Sequence, residues 1–189
     1  MMNTARIDRE TRRVRMGTLH GTIEGSLRVS SNLRTLDFLN RSTAKFIGIQ
    51  DPRVTSARWQ PAASTSFVNV SFVLWVAEII ALQRTGRRRA TPLQNRSGIR
   101  LCMPECEVLG FVHTPAQGDP ILRLNQDTAP FFALTSASLL GPDIEFAAAF
   151  LAVNRAHVFA AEAFASAVDE LEIAQDVRSA AEPAWGAEP

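Results

Sequence analysis

The chain has no tyrosine, one lysine (Lys45), two cysteines, three histidines and three tryptophans in 189 residues. Each scarcity excludes something. Cys102 and Cys106 cannot build a disulfide framework, and point to a reducing, cytoplasmic setting. With His113 they make three candidate metal ligands where a structural zinc site takes four, and Pro104 stands between the two thiols, so no metal is expected. His20, His113 and His157 occupy unrelated places in the sequence pattern and read as surface or half-buried residues. There is no Gly-x-Ser-x-Gly, no phosphate loop and no His-Glu-x-x-His. Neighbouring acids such as Glu105 and Glu107 lack the context that makes a carboxylate pair catalytic. No catalytic residue and no cofactor are indicated, and a non-enzymatic protein is expected. Aromatic residues are only 7% of the chain, which leaves few platforms for stacking single-stranded bases. No apolar run is long enough for a membrane helix. The longest, 67–82, is interrupted by Asn69, Ser71 and Glu78. The Arg-rich segment from Met1 to Arg15 has no apolar segment behind it, so no secretory signal and no membrane insertion are expected.

What is abundant is arginine, and it is unevenly placed. Residues 1–100 hold 16 arginines and Lys45 against six acids, a net charge of +11. Residues 101–189 hold three arginines against 13 acids, a net charge of −10. Halves of opposite sign attract one another, within a chain or between chains, and a basic half can also meet an anionic partner.

The chain also repeats itself. Displaced by 85 residues without gaps, positions 14–80 show 12 identities in 67, where composition alone gives roughly four. Five fall in eight positions, where Leu39-Asn40 through Phe46 meets Leu124-Asn125 through Phe131. Gly25 meets Gly110, and Val68-Asn69 meets Val153-Asn154. In each copy, glycines among irregularly alternating apolar residues predict two bent strands with a bulge or tight turn. A helical turn or two around Leu36 and Leu39 follows, with Ser30, Ser31 or Asn32 as caps. A strand over 46–54 and β-prone residues over 67–80 complete the copy, with a turn at Asn69-Val70-Ser71. Strands are expected again over 99–103, 107–113, 131–140 and 146–159. The recurring Asn40 and Asn125 read as a helix C-cap or turn made twice.

The expected organisation is a basic arm (1–13), a first β repeat (14–82), a basic linker (83–98), a second β repeat (99–160) and an acidic C-terminal helix and tail (161–189). The fold class is mainly β: two tandem small barrels, each with a short helix.

The repeat resembles the Sm-like small barrel, an SH3-like bent five-stranded sheet found in RNA-binding rings. The resemblance rests on Gly25 and Gly110 on a curved second strand, on Asp37-Phe38-Leu39-Asn40, on an apolar third strand, and on an apolar final hairpin (67–76; 151–159). It covers most of both repeats and implies RNA contacts at Asn40 and Asn125. The family's Asp and Asn stand one residue further apart, Leu122 replaces Asp37 in the second copy, and the glycine of the family's last hairpin is missing. The Leu36-to-Asn40 element also resembles one in a bacterial group of uncharacterised proteins, which implies no activity. A further resemblance, to PilZ barrels that bind cyclic dinucleotides, rests on Arg9-Glu10-Thr11-Arg12-Arg13 and Asn40-Arg41-Ser42, with Lys45 in place of the motif's glycine.

Three functions follow as expectations. The first is an assembly or protein-interaction module, pairing the basic half with the acidic half of a partner or of a second copy. The second is RNA or DNA binding by Arg12, Arg13 and Arg15 of the arm and Arg87, Arg88 and Arg89 of the linker, whose guanidinium groups suit phosphate backbones. The third is cyclic-dinucleotide sensing through Arg9 and Arg13, by bidentate contact with phosphates.

Overall fold

A computed structural model describes residues 8–55, 59–79, 95–114, 118–142 and 144–164. The linker arginines Arg87, Arg88 and Arg89 and most of the expected C-terminal helix lie outside the described residues. The first half contains β1 (Arg9–Thr18), β2 (Gly21–Ser30), helix α1 (Thr35–Arg41), β3 (Phe46–Thr55), β4 (Thr65–Asn69), a single 3₁₀ turn (Val70–Phe72) and β5 (Val73–Glu78). The second half contains β6 (Asn95–Cys102), β7 (Glu107–Thr114), α2 (Pro120–Gln126), β8 (Phe131–Gly141), β9 (Ile144–Asn154), a 3₁₀ turn (Arg155–His157) and β10 (Ala160–Phe164).

The mainly β class is as expected, but the strands do not close into two separate barrels. They form one antiparallel sheet of ten strands, in the order β10-β6-β7-β8-β9-β5-β1-β2-β3-β4. Each half contributes five strands in the same internal order, the fifth beside the first and the fourth at the far side. The fourth and fifth strands of one half never meet each other. Instead β5 of the first half pairs with β9 of the second, and this joins the halves.

The correspondence between halves is residue by residue. Under the displacement that reveals the repeat, α2 falls on α1 end to end, and the second 3₁₀ turn falls on the first. The β2–β3 ladder slips at Gly25 and the β7–β8 ladder at Gly110. Asp51 and Ser136, equivalent under the same displacement, are the two non-glycine residues of positive φ among the described residues, at 48° and 50°. Each lies in a bulge of its own strand, where two residues of β3 or β8 oppose the single glycine of the facing strand and the strand with the extra residue bends. The bend turns the long strands β3 and β8 around their cores. Gly25 is required there: a Cβ would stand 2.4 Å from Ile49 Cγ2 and 2.8 Å from the Gln50 carbonyl oxygen.

Two cores result, and both draw on both halves. One contains Leu101, Val108, Leu134, Leu139 and Leu151 of the second half, together with Leu74, Trp75 and Ala77 of β5. The other contains Val14, Met16, Leu27, Ile49 and Val68 of the first half, together with Phe131 and Ala152 from the second. Strand β5 is covered on both faces, which is why Val73 to Ala77 is an unbroken apolar run rather than an alternation. Trp75 lies over its cross-strand partner Gly17, and Phe164 likewise over Gly98, so each ring fills the space the glycine leaves open.

Four boundaries differ from expectation. The strand expected over 146–159 ends at Asn154, where the 3₁₀ turn Arg155–His157 begins. Arg9 to Arg13 belong to β1, not to an arm. Asn95 to Gly98 belong to β6, not to the linker. Ala161 to Phe164 continue the sheet in β10 where a helix was expected, because pairing with β6 outweighs the helix propensity of an alanine-rich segment.

Candidate assembly interface

The junction of the halves is built from three cross-strand pairs: Trp75 with Val153, Val76 with Ala152, and Ala77 with Leu151. Short as it is, it is reinforced at both ends. Asn154 is buried and donates its amide to the Val73 carbonyl at 2.8 Å, while its oxygen accepts from the Ala156 N–H at 3.1 Å. Asn40 projects from the last turn of α1 across to β8. Its amide donates to the Phe131 carbonyl at 2.9 Å, and its oxygen accepts from the Phe131 N–H at 2.8 Å. This two-point clasp holds Phe131 with 1% of its surface exposed, in the core of the opposite half. Arg15, ion-paired with Glu24, lies over the Phe146 ring at 4.6 Å, and Phe146 stacks on Trp75 with centroids 6.1 Å apart. His157 Nε2 meets the Ser71 carbonyl at 2.7 Å.

The same surfaces recur at the outer strands, β4 and β10, whose outer edges pair with nothing among the described residues. Phe46, the counterpart of Phe131, is 53% exposed. Phe67, the counterpart of the buried Ala152, is 72% exposed. Phe159, the counterpart of the buried Leu74, is 73% exposed. Asn125, the counterpart of Asn40, is exposed and has no side-chain partner among the described residues. Asn69 accepts from Ser71 N–H at 3.0 Å, as Asn154 does from Ala156, but its amide donates to nothing among the described residues.

Beside β4 lies an open cleft of about 740 Å³. Arg9, Arg28 and Arg41 line it with Phe38, Phe67 and Gln50, and no carboxylate does. None of these arginines has an ion pair among the described residues.

The arginines expected to hold phosphates are placed differently. Arg12 donates to Thr35 Oγ1 and Glu78 Oε1 at 3.3 Å, to Glu10 at 3.1 Å and to the Leu33 carbonyl at 2.8 Å. It ties α1 to β1 and β5. Arg15 belongs to the junction, and Arg13 is exposed on β1, away from the cleft. Sequence reasoning missed Arg9, Arg28 and Arg41 as a cluster, because only the curl of β2 and β3 against α1 gathers them. It also read Asn40 as a local cap, whereas Asn40 reaches residue 131. The reciprocal glycines are structural: each sits at its bulge.

The remaining reactive groups do not converge. Among the described residues no cluster of three or more His, Cys, Asp or Glu could hold a metal. The Cys106 thiol is pushed up to about 11, chiefly by burial, which keeps it protonated and unreactive. Arg100 is raised above its ordinary value by its hydrogen bonds to Glu107, a fork pairing at 2.8 Å across β6 and β7. No helix among the described residues is long and apolar enough to cross a membrane. Comparison with protein-family models, curated proteins and solved structures found no match.

Proposed function

We propose that this protein is a non-enzymatic assembly module, built by internal duplication from two Sm-like five-stranded units, which joins proteins by strand addition at its outer edges. The observation that carries this reading is the β5–β9 junction: one strand-edge pairing already holds the two halves together, and its chemistry is repeated on β4 and β10, unused among the described residues. An exposed strand edge offers unpaired N–H and C=O groups and is a hazard unless it is blunted or used. These edges are not blunted by proline; Phe67 is exposed on β4 and Phe159 immediately before β10, which itself carries Glu162. Scattered apolar residues need no explanation, but exposed phenylalanines on and beside two joining edges do.

The test is made on the native assembly recovered from the host. Replacing Phe67 and Phe159 together by Asp is expected to reduce that assembly to the bare 20.7 kDa chain. If the double variant keeps the size of the wild-type assembly, the edges are not the joining surfaces and the reading fails.

A second reading is supported by the cleft. Three unpaired arginines with two phenylalanine rings suit an anionic, aromatic ligand such as a stretch of nucleic acid. It predicts salt-dependent binding of a labelled oligonucleotide, weakened by Arg9→Ala, Arg28→Ala and Arg41→Ala. Absence of any anisotropy change at low salt excludes it. Phe67 lines both the cleft and the β4 edge, so this ligand and a strand partner would compete.

A further inference from the structure

Resting on the strand-addition reading, we infer that the partner is a second copy of this chain, whose β10 pairs antiparallel with β4 in the register of the internal junction. Transferring the three observed pairs by the offset of the repeat sets Ala160 of one chain opposite Val68 of the next, Ala161 opposite Phe67, and Glu162 opposite Ser66.

Four observations support that occupant over an unrelated protein. First, the exposed residues are the right ones. Phe46, Phe67 and Phe159 are three of six large apolar side chains exposed among the described residues, and their counterparts Phe131, Ala152 and Leu74 are 1%, 0% and 1% exposed in the junction. Only a partner with this chain's own surface buries all three in the same way.

Second, the volumes are exchanged, not lost. Inside the chain Val76 on the fifth strand faces Ala152 on the fourth. At the outer edges the small residue, Ala161, is on the fifth-type strand and the large one, Phe67, on the fourth-type strand. A phenylalanine facing an alanine fills a junction that two large residues would overfill.

Third, the polar clasp has a free copy. Asn125, exposed on α2, stands where Asn40 stands on α1, and Phe46 stands where Phe131 stands. The Asn125 side chain therefore meets the backbone N–H and C=O of Phe46 in the next chain, and the Asn69 amide meets the Val158 carbonyl as Asn154 meets that of Val73.

Fourth, the charges agree. The β4 edge belongs to residues 8–79, which hold nine arginines and Lys45 against six acids, with Arg9, Arg28 and Arg41 beside it. The β10 edge belongs to residues 95–164, which hold four arginines against seven acids, with Glu162 exposed on the strand and ion-paired with Arg100 at 3.7 Å. Opposite fields steer β10 to β4 and disfavour pairing of like edges.

The contact is heterologous, since β4 meets β10 and never its own copy. That gives the experiment its discrimination. Purified wild-type protein is expected to scatter light as a multiple of 20.7 kDa at micromolar concentration and low salt. Phe67→Asp alone and Phe159→Asp alone are each expected to be monomers with unchanged circular dichroism, both side chains being exposed in the single chain. Mixed together, the two variants are expected to form a 1:1 dimer and nothing larger, because each retains the edge the other has lost. A dimer formed by either variant alone overturns the assignment, since it requires pairing of like edges. A wild-type monomer also overturns it. If that monomer's assembly in the host is nevertheless lost when both edges are blocked, the strand-addition reading survives with a different partner. If blocking has no effect there, both fall.

Discussion

Asn40 and Asn125 offer a direct measurement of what the junction contributes. The two residues are identical in type, occupy equivalent turns of equivalent helices, and differ in what they touch. Replacing Asn40 by Ala removes one donor and one acceptor from the Phe131 backbone, which then has a peptide N–H and C=O facing a largely apolar contact. Each unsatisfied buried group costs about 1–3 kcal/mol, so the variant is expected to lose about 2–4 kcal/mol of unfolding free energy. Asn125→Ala removes no side-chain hydrogen bond among the described residues and is expected to change stability by less than about 0.5 kcal/mol. Asn40→Asp separates the two hydrogen bonds. The carboxylate still accepts from the Phe131 N–H but repels its carbonyl, and the penalty should shrink below about pH 4, where a protonated Asp can donate. The assay is urea unfolding in the Phe67→Asp, Phe159→Asp background, so that edge pairing does not add to the folded-state stability. Asn40→Ala and Asn125→Ala variants of equal stability would refute the clasp.

Gly25→Ala is expected to cost about 2–3 kcal/mol by overpacking against Ile49 Cγ2 and the Gln50 carbonyl, whereas Gly110→Ala, whose nearest neighbours stand at 3.3 Å, should cost less than about 1 kcal/mol. Thermal unfolding of the two variants ranks them. Cys106 should resist alkylation in the folded protein at pH 8, when its thiol remains protonated, and Cys102 should react first; mass mapping after a short iodoacetamide pulse reads the order. Since the Cys106 value is raised from 9.0 to about 11 in the fold, its contribution to stability is complete below pH 9 and is lost as pH climbs toward 11, which denaturant midpoints across that range would register. Raising salt about tenfold from a low-salt buffer should weaken self-association of the purified chain, because the charge of its two edge-bearing halves is screened, while leaving the unfolding midpoint of the edge-blocked chain within a small margin.

Local chemistry was legible in the sequence. The Gly25 and Gly110 bends, the Asn69 turn, and the helix around Leu36 and Leu39 all depend on residues within a few positions of one another. What was not legible depends on distant pairing. Ala160 to Phe164 has the composition of a helix, and only the ladder to β6 makes it a strand. Arg96 and Ser97 have the composition of a linker, yet they pair with His113 and Val112. The apolar run Val73 to Ala77 reads only as β-prone, and nothing local shows that it is buried on both faces with β9 from the other half covering one side. The recurrence of Asn40 and Asn125 pointed to shared ancestry and concealed a difference in use, because one copy is satisfied inside the chain and the other faces outward.

That difference constrains how the two halves can be exchanged. If they were interchangeable, the chain entering β10 would carry Leu at 159 and Trp at 160, as β5 does at Leu74 and Trp75, and β4 would carry Ala at 67, as β9 does at Ala152. Instead the large and small partners have changed strands together with the sign of the charge. Val76 and Ala152 fit each other, and Ala161 and Phe67 fit each other, but Val76 against Phe67 is oversized and Ala152 against Ala161 leaves a void. The first pairing would join the fifth strand of a basic half to the fourth strand of another basic half; the second would join acidic to acidic. Volume and charge therefore reject the same wrong neighbours, so that basic and acidic halves must alternate along any chain of copies. A chimeric chain made of two first halves should lose that alternation and aggregate, whereas first and second halves expressed as separate chains, if they fold, should recombine one to one.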